Sequence, residues 1–116
     1  MIQKSMETLE LPPRFMDKLR HDLLYLLDYK DIQIKQIILF GSCARGTYKV
    51  TSDLDLLILT KDSVDRYIRG DIASVLDEAI DCVCTDVIFY QEKIFSTSNS
   101  LIVNKIREEG IIIYSA

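Results

Sequence analysis

Apolar residues first recur at helical spacing after the Pro12-Pro13 pair, where Phe15, Met16, Leu19, Leu23, Leu26 and Leu27 repeat every three or four positions up to about Lys30. That period puts them on one face of an amphipathic helix over about residues 13–30, and a proline suits its first turn. The pattern then changes. Ile34 to Phe40 is a short isoleucine-rich run that stops at Gly41-Ser42, as a strand buried on at least one face would. Leu54 to Leu59 is a second apolar run, too short for a helix and bounded by charge, so it predicts another strand. From Ser63, which suits a cap, Val64, Tyr67, Ile68, Ile72, Val75, Leu76, Ala79 and Ile80 return to helical period. Gly70 lies inside that helix and costs it about 1 kcal/mol relative to alanine. Val83 to Tyr90 predicts a third strand. A helical pattern through Ile94, Leu101, Ile102 and Ile106, with a break foreseen at Ser96 to Ser100, ends at Gly110, and Ile111 to Tyr114 adds a last short strand. The predicted order is α-β-β-α-β-α-β. It describes one α/β (α+β) domain spanning residues 1–116, with a small mixed sheet of about four strands packed by about three or four helices.

Composition narrows the class. A chain of 116 residues that is 48% hydrophobic and 28% charged has the makings of one globular core, without room for a second domain. It contains no apolar run near the roughly 18 residues that a membrane helix needs and no signal-peptide core, so a cytoplasmic protein without a membrane partner is expected. Three cysteines, Cys43, Cys82 and Cys84, are an odd number without framework spacing and are read as free thiols. Cys82-Val83-Cys84 lacks the second Cys or His pair of a structural zinc site and is read as a pair of core thiols, with Cys43 the more reachable one. The net charge of -4 gives none of the positive field that non-specific nucleic-acid binding relies on, and Lys30, Lys35, Lys49, Lys61 and Lys93 form no basic run. Direct nucleic-acid binding is not expected. His21, the only histidine, falls in the first helix and is read as a surface residue.

The chemistry concentrates between the first two long strands. Gly41 offers backbone angles closed to other residues and permits close approach to the chain, and Ser42 follows at a prospective helix N-terminus, where a phosphate is favoured. Asp53 and Asp55 stand two apart at a strand start, so their carboxylates share a face at roughly 6.5 to 7 Å. Two like charges there call for a cation, and Mg²⁺, held by one or two carboxylates together with substrate phosphates and water, fits. Asp86, among Val83, Val87, Ile88 and Phe89, reads as a carboxylate inside a buried strand that needs a partner. If its strand neighbours the one carrying Asp53 and Asp55, three carboxylates converge on two metal ions about 3.5 to 4 Å apart, an arrangement suited to in-line phosphoryl displacement.

Gly41-Ser42, ten intervening residues, Asp53-Leu54-Asp55 and the later Asp86 resemble the DNA polymerase beta superfamily of nucleotidyltransferases. Phe40-Gly41-Ser42-Cys43-Ala44-Arg45-Gly46 and Ser52-Asp53-Leu54-Asp55-Leu56-Leu57-Ile58 are similar in particular to its minimal nucleotidyltransferase (MNT) branch, over about Ile34 to Tyr114. The resemblance implies a nucleotidyltransferase fold in which Gly41 and Ser42 bind the β and γ phosphates of an NTP. Asp53 and Asp55 would ligate both Mg²⁺ ions, and Asp86 the catalytic one while helping to deprotonate the acceptor hydroxyl. Arg45 would neutralise phosphate charge or pin the loop. Stand-alone chains of this kind are often antitoxins beside a HEPN-family RNase toxin, which implies transfer of AMP from ATP onto a tyrosine of that toxin. Two other readings remain open: a small-molecule nucleotidyltransferase, as for aminoglycosides, and a non-catalytic antitoxin that acts by contact.

Overall fold

In a computed structural model describing residues 1–116, the chain runs β1 (Ile2–Gln3), α1 (Pro13–Asp28), β2 (Ile34–Phe40), α2 (Gly41–Arg45), β3 (Leu54–Thr60), α3 (Arg66–Leu76), β4 (Thr85–Gln91), α4 (Glu92–Thr97), α5 (Leu101–Glu109) and β5 (Ile111–Ser115). One five-stranded sheet forms in the order β1-β5-β2-β3-β4. It is mixed, as expected: β2 is antiparallel to both β3 and β5, while β3 with β4 and β1 with β5 are parallel. The fifth strand, the two-residue β1, is too short to leave a periodic trace. No helix is long and apolar enough to cross a membrane.

Both faces of the sheet are covered, which explains why β3 reads as an unbroken apolar run rather than an alternating one. Leu54, Leu56 and Ile58 join Phe15, Leu19, Leu23 and Leu26 of α1 and Ile72 and Leu76 of α3. Leu57 and Leu59 point the other way, to Ile38 of β2, Phe95 of α4 and Val103 and Ile106 of α5. By the same alternation Asp55 shares its face with Leu57, on the side of α4 and α5.

Helix ends differ from the sequence reading where capping chemistry decides. Asp65, not Ser63, accepts from the Tyr67 N–H at 2.7 Å, so α3 is shorter than the apolar period suggests. The last helical stretch does break within Ser96 to Ser100, because Ser100 accepts from the Val103 N–H at 3.3 Å and starts a new helix. Arg107 rejoins the two halves by donating to Ser98 O at 2.8 Å and to Phe95 O, with its guanidinium 5.2 Å from the Phe95 ring. Gly110 ends α5, though its φ of -67° is ordinary; glycine is needed there for room, since a Cβ would press on Ile106 O and Ile38.

Periodicity did not reveal two fully buried ionic groups in α1. Lys18 Nζ donates to Asp22 Oδ1 at 2.6 Å and to Leu76 O at 2.8 Å, while Thr85 Oγ1 donates to Asp22 Oδ2 at 2.5 Å. The cluster ties α1 to the end of α3 and to the first residue of β4, and no buried side-chain nitrogen or oxygen is left without a partner. Between α3 and β4, Ile80 and Val83 bridge across a tight turn whose central residues, Asp81 and Cys82, have φ of 51° and 64°. Two successive positive φ values are what a type I′ turn demands, and a cysteine Cβ is strained there.

Lys18→Met strands the Asp22 carboxylate in the core and should lower the urea-derived stability by about 3 to 5 kcal/mol, whereas Lys18→Met with Asp22→Leu should cost markedly less. Cys82→Gly should raise stability by a few tenths to about 1 kcal/mol in the same assay, because relief of the left-handed strain outweighs the added freedom of the unfolded chain.

Candidate active site

Two loops and one strand pairing assemble the acidic centre. β2 ends at Phe40, and Gly41, which has φ of 74°, opens the one-turn helix α2; Gly46, φ 77°, closes that helix with its N–H on Ser42 O. Both the angle and the space at position 41 require glycine, because a Cβ there would overlap the Asp55 carboxylate. The close approach foreseen at Gly41 is thus made first by Asp55.

The segment from α2 to β3 is held from three directions. Lys49 N–H donates to Ser52 Oγ at 2.7 Å while Ser52 N–H donates to Lys49 O at 3.0 Å. Arg14 of α1 donates to Val50 O at 2.5 Å, and Tyr48 packs against Phe15 with ring centroids 5.6 Å apart. Cys43 is the buried residue of α2, and its thiol donates to Asp53 O at 3.5 Å. Asp53 therefore enters β3 from a backbone fixed on both sides.

Parallel pairing of β3 with β4 then sets Asp55 opposite Asp86, residue for residue. Adjacent strands lie about 4.8 Å apart, so two carboxylates on one face in register repel strongly. The carboxyl of Asp55 is pushed up to about 6, first by burial, then by the charges of Asp86 and Asp53, with Arg45 opposing. The neighbouring Cys43 thiol is pushed up to about 11, first by burial and next by Asp55. These shifts describe three aspartates close enough to sense one another. They do not already meet in metal-ligating geometry, as no group of three His, Cys, Asp or Glu side chains does.

Several expectations are corrected. Asp86 is exposed, not buried, because β4 is an edge strand; its place beside Asp55, not burial, sets it apart. Cys82 is an exposed turn residue and Cys84 is half-buried, so the two are not a core pair, and Cys43, expected to be the accessible thiol, is the buried one. Arg45 reaches Glu109 of α5 at 3.0 Å, which pins α2 to α5, and it also lowers the Asp55 carboxyl. Ser42 is half-buried in α2 beside Gly41, and His21 is exposed, as read. The sequence reading missed α5 as part of the surroundings. The spacing of Ile102, Lys105, Ile106 and Glu109 on one helical face carries that signal, but their distance in sequence from Gly41 conceals it.

A raised carboxyl pKa means that the folded chain binds the Asp55 proton more tightly than the unfolded chain, so stability falls as pH rises from about 4 through 6. Asp55→Asn should accordingly raise the Tm of the metal-free protein at pH 8, with the gain vanishing below about pH 4, in thermal melts across that range.

The profile of the nucleotidyltransferase domain family matches residues 22–113. A Methanocaldococcus jannaschii protein that carries a provisional protein adenylyltransferase name is 34% identical over 82 residues, 71% of this chain and 80% of that one. Protein adenylyltransferase MntA of Shewanella oneidensis is 37% identical over 49 residues, 42% of this chain; the match spans only 35% of its length. Among solved structures, a toxin-antitoxin complex with AMP-PNP superposes with a TM-score of 0.60 at 23% identity, covering 86% of this chain and 73% of that one. A tri-AMPylated Shewanella oneidensis HEPN toxin in complex with MNT antitoxin superposes with a TM-score of 0.54 at 19% identity, covering 89% and 73%. These two likenesses bear on the fold alone. The family match over residues 22–113, on a mixed sheet that sets Gly41 against Asp55 and Asp55 opposite Asp86, makes the chain a member of the nucleotidyltransferase domain family.

Proposed function

We propose that this protein is a Mg²⁺-dependent adenylyltransferase that moves AMP from ATP onto a hydroxyl of a HEPN-family toxin, a tyrosine in our reading, and so acts as its antitoxin. The observation that carries the chemistry is the in-register opposition of Asp55 and Asp86, with Gly41 against the same carboxylate. Support for the acceptor comes from the adenylyltransferase names of the two relatives and from the AMPylated HEPN toxin bound to the MNT antitoxin of similar fold. Support for the donor comes from the AMP-PNP complex.

The donor set fits a hard divalent cation: three acidic side chains, of which Asp55 is lifted to about 6, first by burial and then by the charges of Asp86 and Asp53. Mg²⁺, when bound, neutralises the phosphates and lowers the pKa of an acceptor hydroxyl. In this scheme Asp53 and Asp55 would hold both metal ions at the entrance of β3, and Asp86 would hold the catalytic one while helping to take up the acceptor proton. The acceptor oxygen forms its bond to the α-phosphorus as the bond from that phosphorus to the bridging oxygen breaks, and pyrophosphate leaves past Gly41 and Ser42. Asp86 suits a large acceptor: on an exposed edge strand, it is open to a macromolecular hydroxyl.

The test is incubation with Mg²⁺, labelled ATP and the protein product of the neighbouring gene, read by gel and intact mass. The expected result is an AMP-sized adduct on that protein, reduced by about 10³-fold or more by Asp53→Ala with Asp55→Ala. A double mutant that still neutralises the toxin, with no adduct formed by either protein, would overturn the enzymatic reading in favour of inhibition by contact.

A further inference from the structure

Along one side of α5, Ile102, Lys105, Ile106 and Glu109 fall three, four and seven residues on from the first, the spacing of one helical face. That side faces α2 across a cavity of about 180 Å³, completed by Phe40, Gly41 and Arg45. Gly41 therefore belongs to two surroundings: a Cβ on it would strike Asp55, and its backbone also forms a wall of this cavity. The acidic centre and the cavity are neighbours with one residue between them.

The cavity has a character of its own. Of the five principal cavities, it alone is lined by two cationic side chains, in a protein whose net charge is -4. Arg45 is committed to Glu109 at 3.0 Å. Lys105 lies four residues before Glu109, the less favourable order for an intrahelical pair, and Glu109 has turned to Arg45 instead. Lys105 enters none of the ion pairs in the fold and is exposed on the cavity wall. An unpaired ammonium, a pinned guanidinium and a glycine backbone together suit the far end of a phosphate chain whose near end lies at the carboxylates.

We infer that Lys105 is a triphosphate-binding residue whose ammonium receives the terminal phosphate of the nucleotide. The chain of phosphates runs from Asp53, Asp55 and Asp86 over Gly41 and Ser42 into the α5 cavity, where Arg45 flanks the same terminal phosphate. Lysine serves there as a point charge that distinguishes a nucleoside triphosphate from a diphosphate. The assignment rests on the nucleotidyltransferase reading above.

The test is calorimetric binding of AMP-PNP and of ADP, each with Mg²⁺, to the unsubstituted protein, Lys105→Ala and Lys105→Arg, with circular dichroism to verify the fold. Lys105→Ala should weaken AMP-PNP binding about tenfold and leave ADP within about twofold, and Lys105→Arg should keep most of the preference for the triphosphate. Unchanged AMP-PNP binding in Lys105→Ala, or an equal loss for both nucleotides, would overturn the assignment while leaving the nucleotidyltransferase reading intact. Failure of the unsubstituted protein to bind either nucleotide would overturn both.

Discussion

The in-register parallel pairing of β3 with β4 is the constraint on which the acidic centre rests, because it alone brings Asp86 beside Asp55 across more than thirty residues of chain. A slip of one residue would turn the Asp86 side chain to the opposite face. Such a slip is resisted from both ends of the pairing. At the start of β4, Thr85 is buried and bonded to Asp22, and the turn at Asp81-Cys82 accepts two left-handed residues to deliver the chain there. Along β3, Leu54, Leu56 and Ile58 are committed to one core and Leu57 and Leu59 to the other, so neither face can exchange its residues.

The cost of this arrangement is electrostatic, and the fold contains it rather than removes it. Asp55 is half-buried beside two other carboxylates, with only Arg45 in opposition, and Arg45 is itself tied to Glu109. Repulsion of this kind is tolerable in a rigid frame that derives its stability elsewhere, here from two apolar layers and from the Lys18, Asp22 and Thr85 cluster behind the sheet. A cation bound among the carboxylates would reverse the sign of the interaction. The same groups that destabilise the metal-free fold would then become its ligands, which is how a site can be both strained and specific.

Stability and chemistry also meet at single residues. Gly41 is fixed by φ and by contact with Asp55, yet it forms the wall shared with the α5 cavity. Cys43, mistaken for a reachable thiol on its loop position, is a buried support whose thiol reaches the Asp53 carbonyl. Loop residues between Ser42 and Asp53 are held by Arg14 and Phe15 of α1, so the first helix, far from the carboxylates in sequence, steadies the segment that presents them.

From residue order alone, local periods were enough to place the long strands and helices, since a repeat of two or of three to four follows from backbone geometry and burial. The spacing of Gly41-Ser42, Asp53, Asp55 and Asp86 was legible for the same reason: each residue type carries its own chemistry wherever it stands. What the sequence could not reveal was which elements are neighbours. Asp86 was expected in a buried strand because its apolar flanks look alike at an edge and in the middle of a sheet, and only the strand order exposes it. Lys18 and Asp22 look like solvated helix residues until α3 and β4 close over them. Lys105 gains its setting only when α5 folds back against α2. Burial, pKa and the company a charge keeps are properties of long-range packing, and so the tertiary structure decided them.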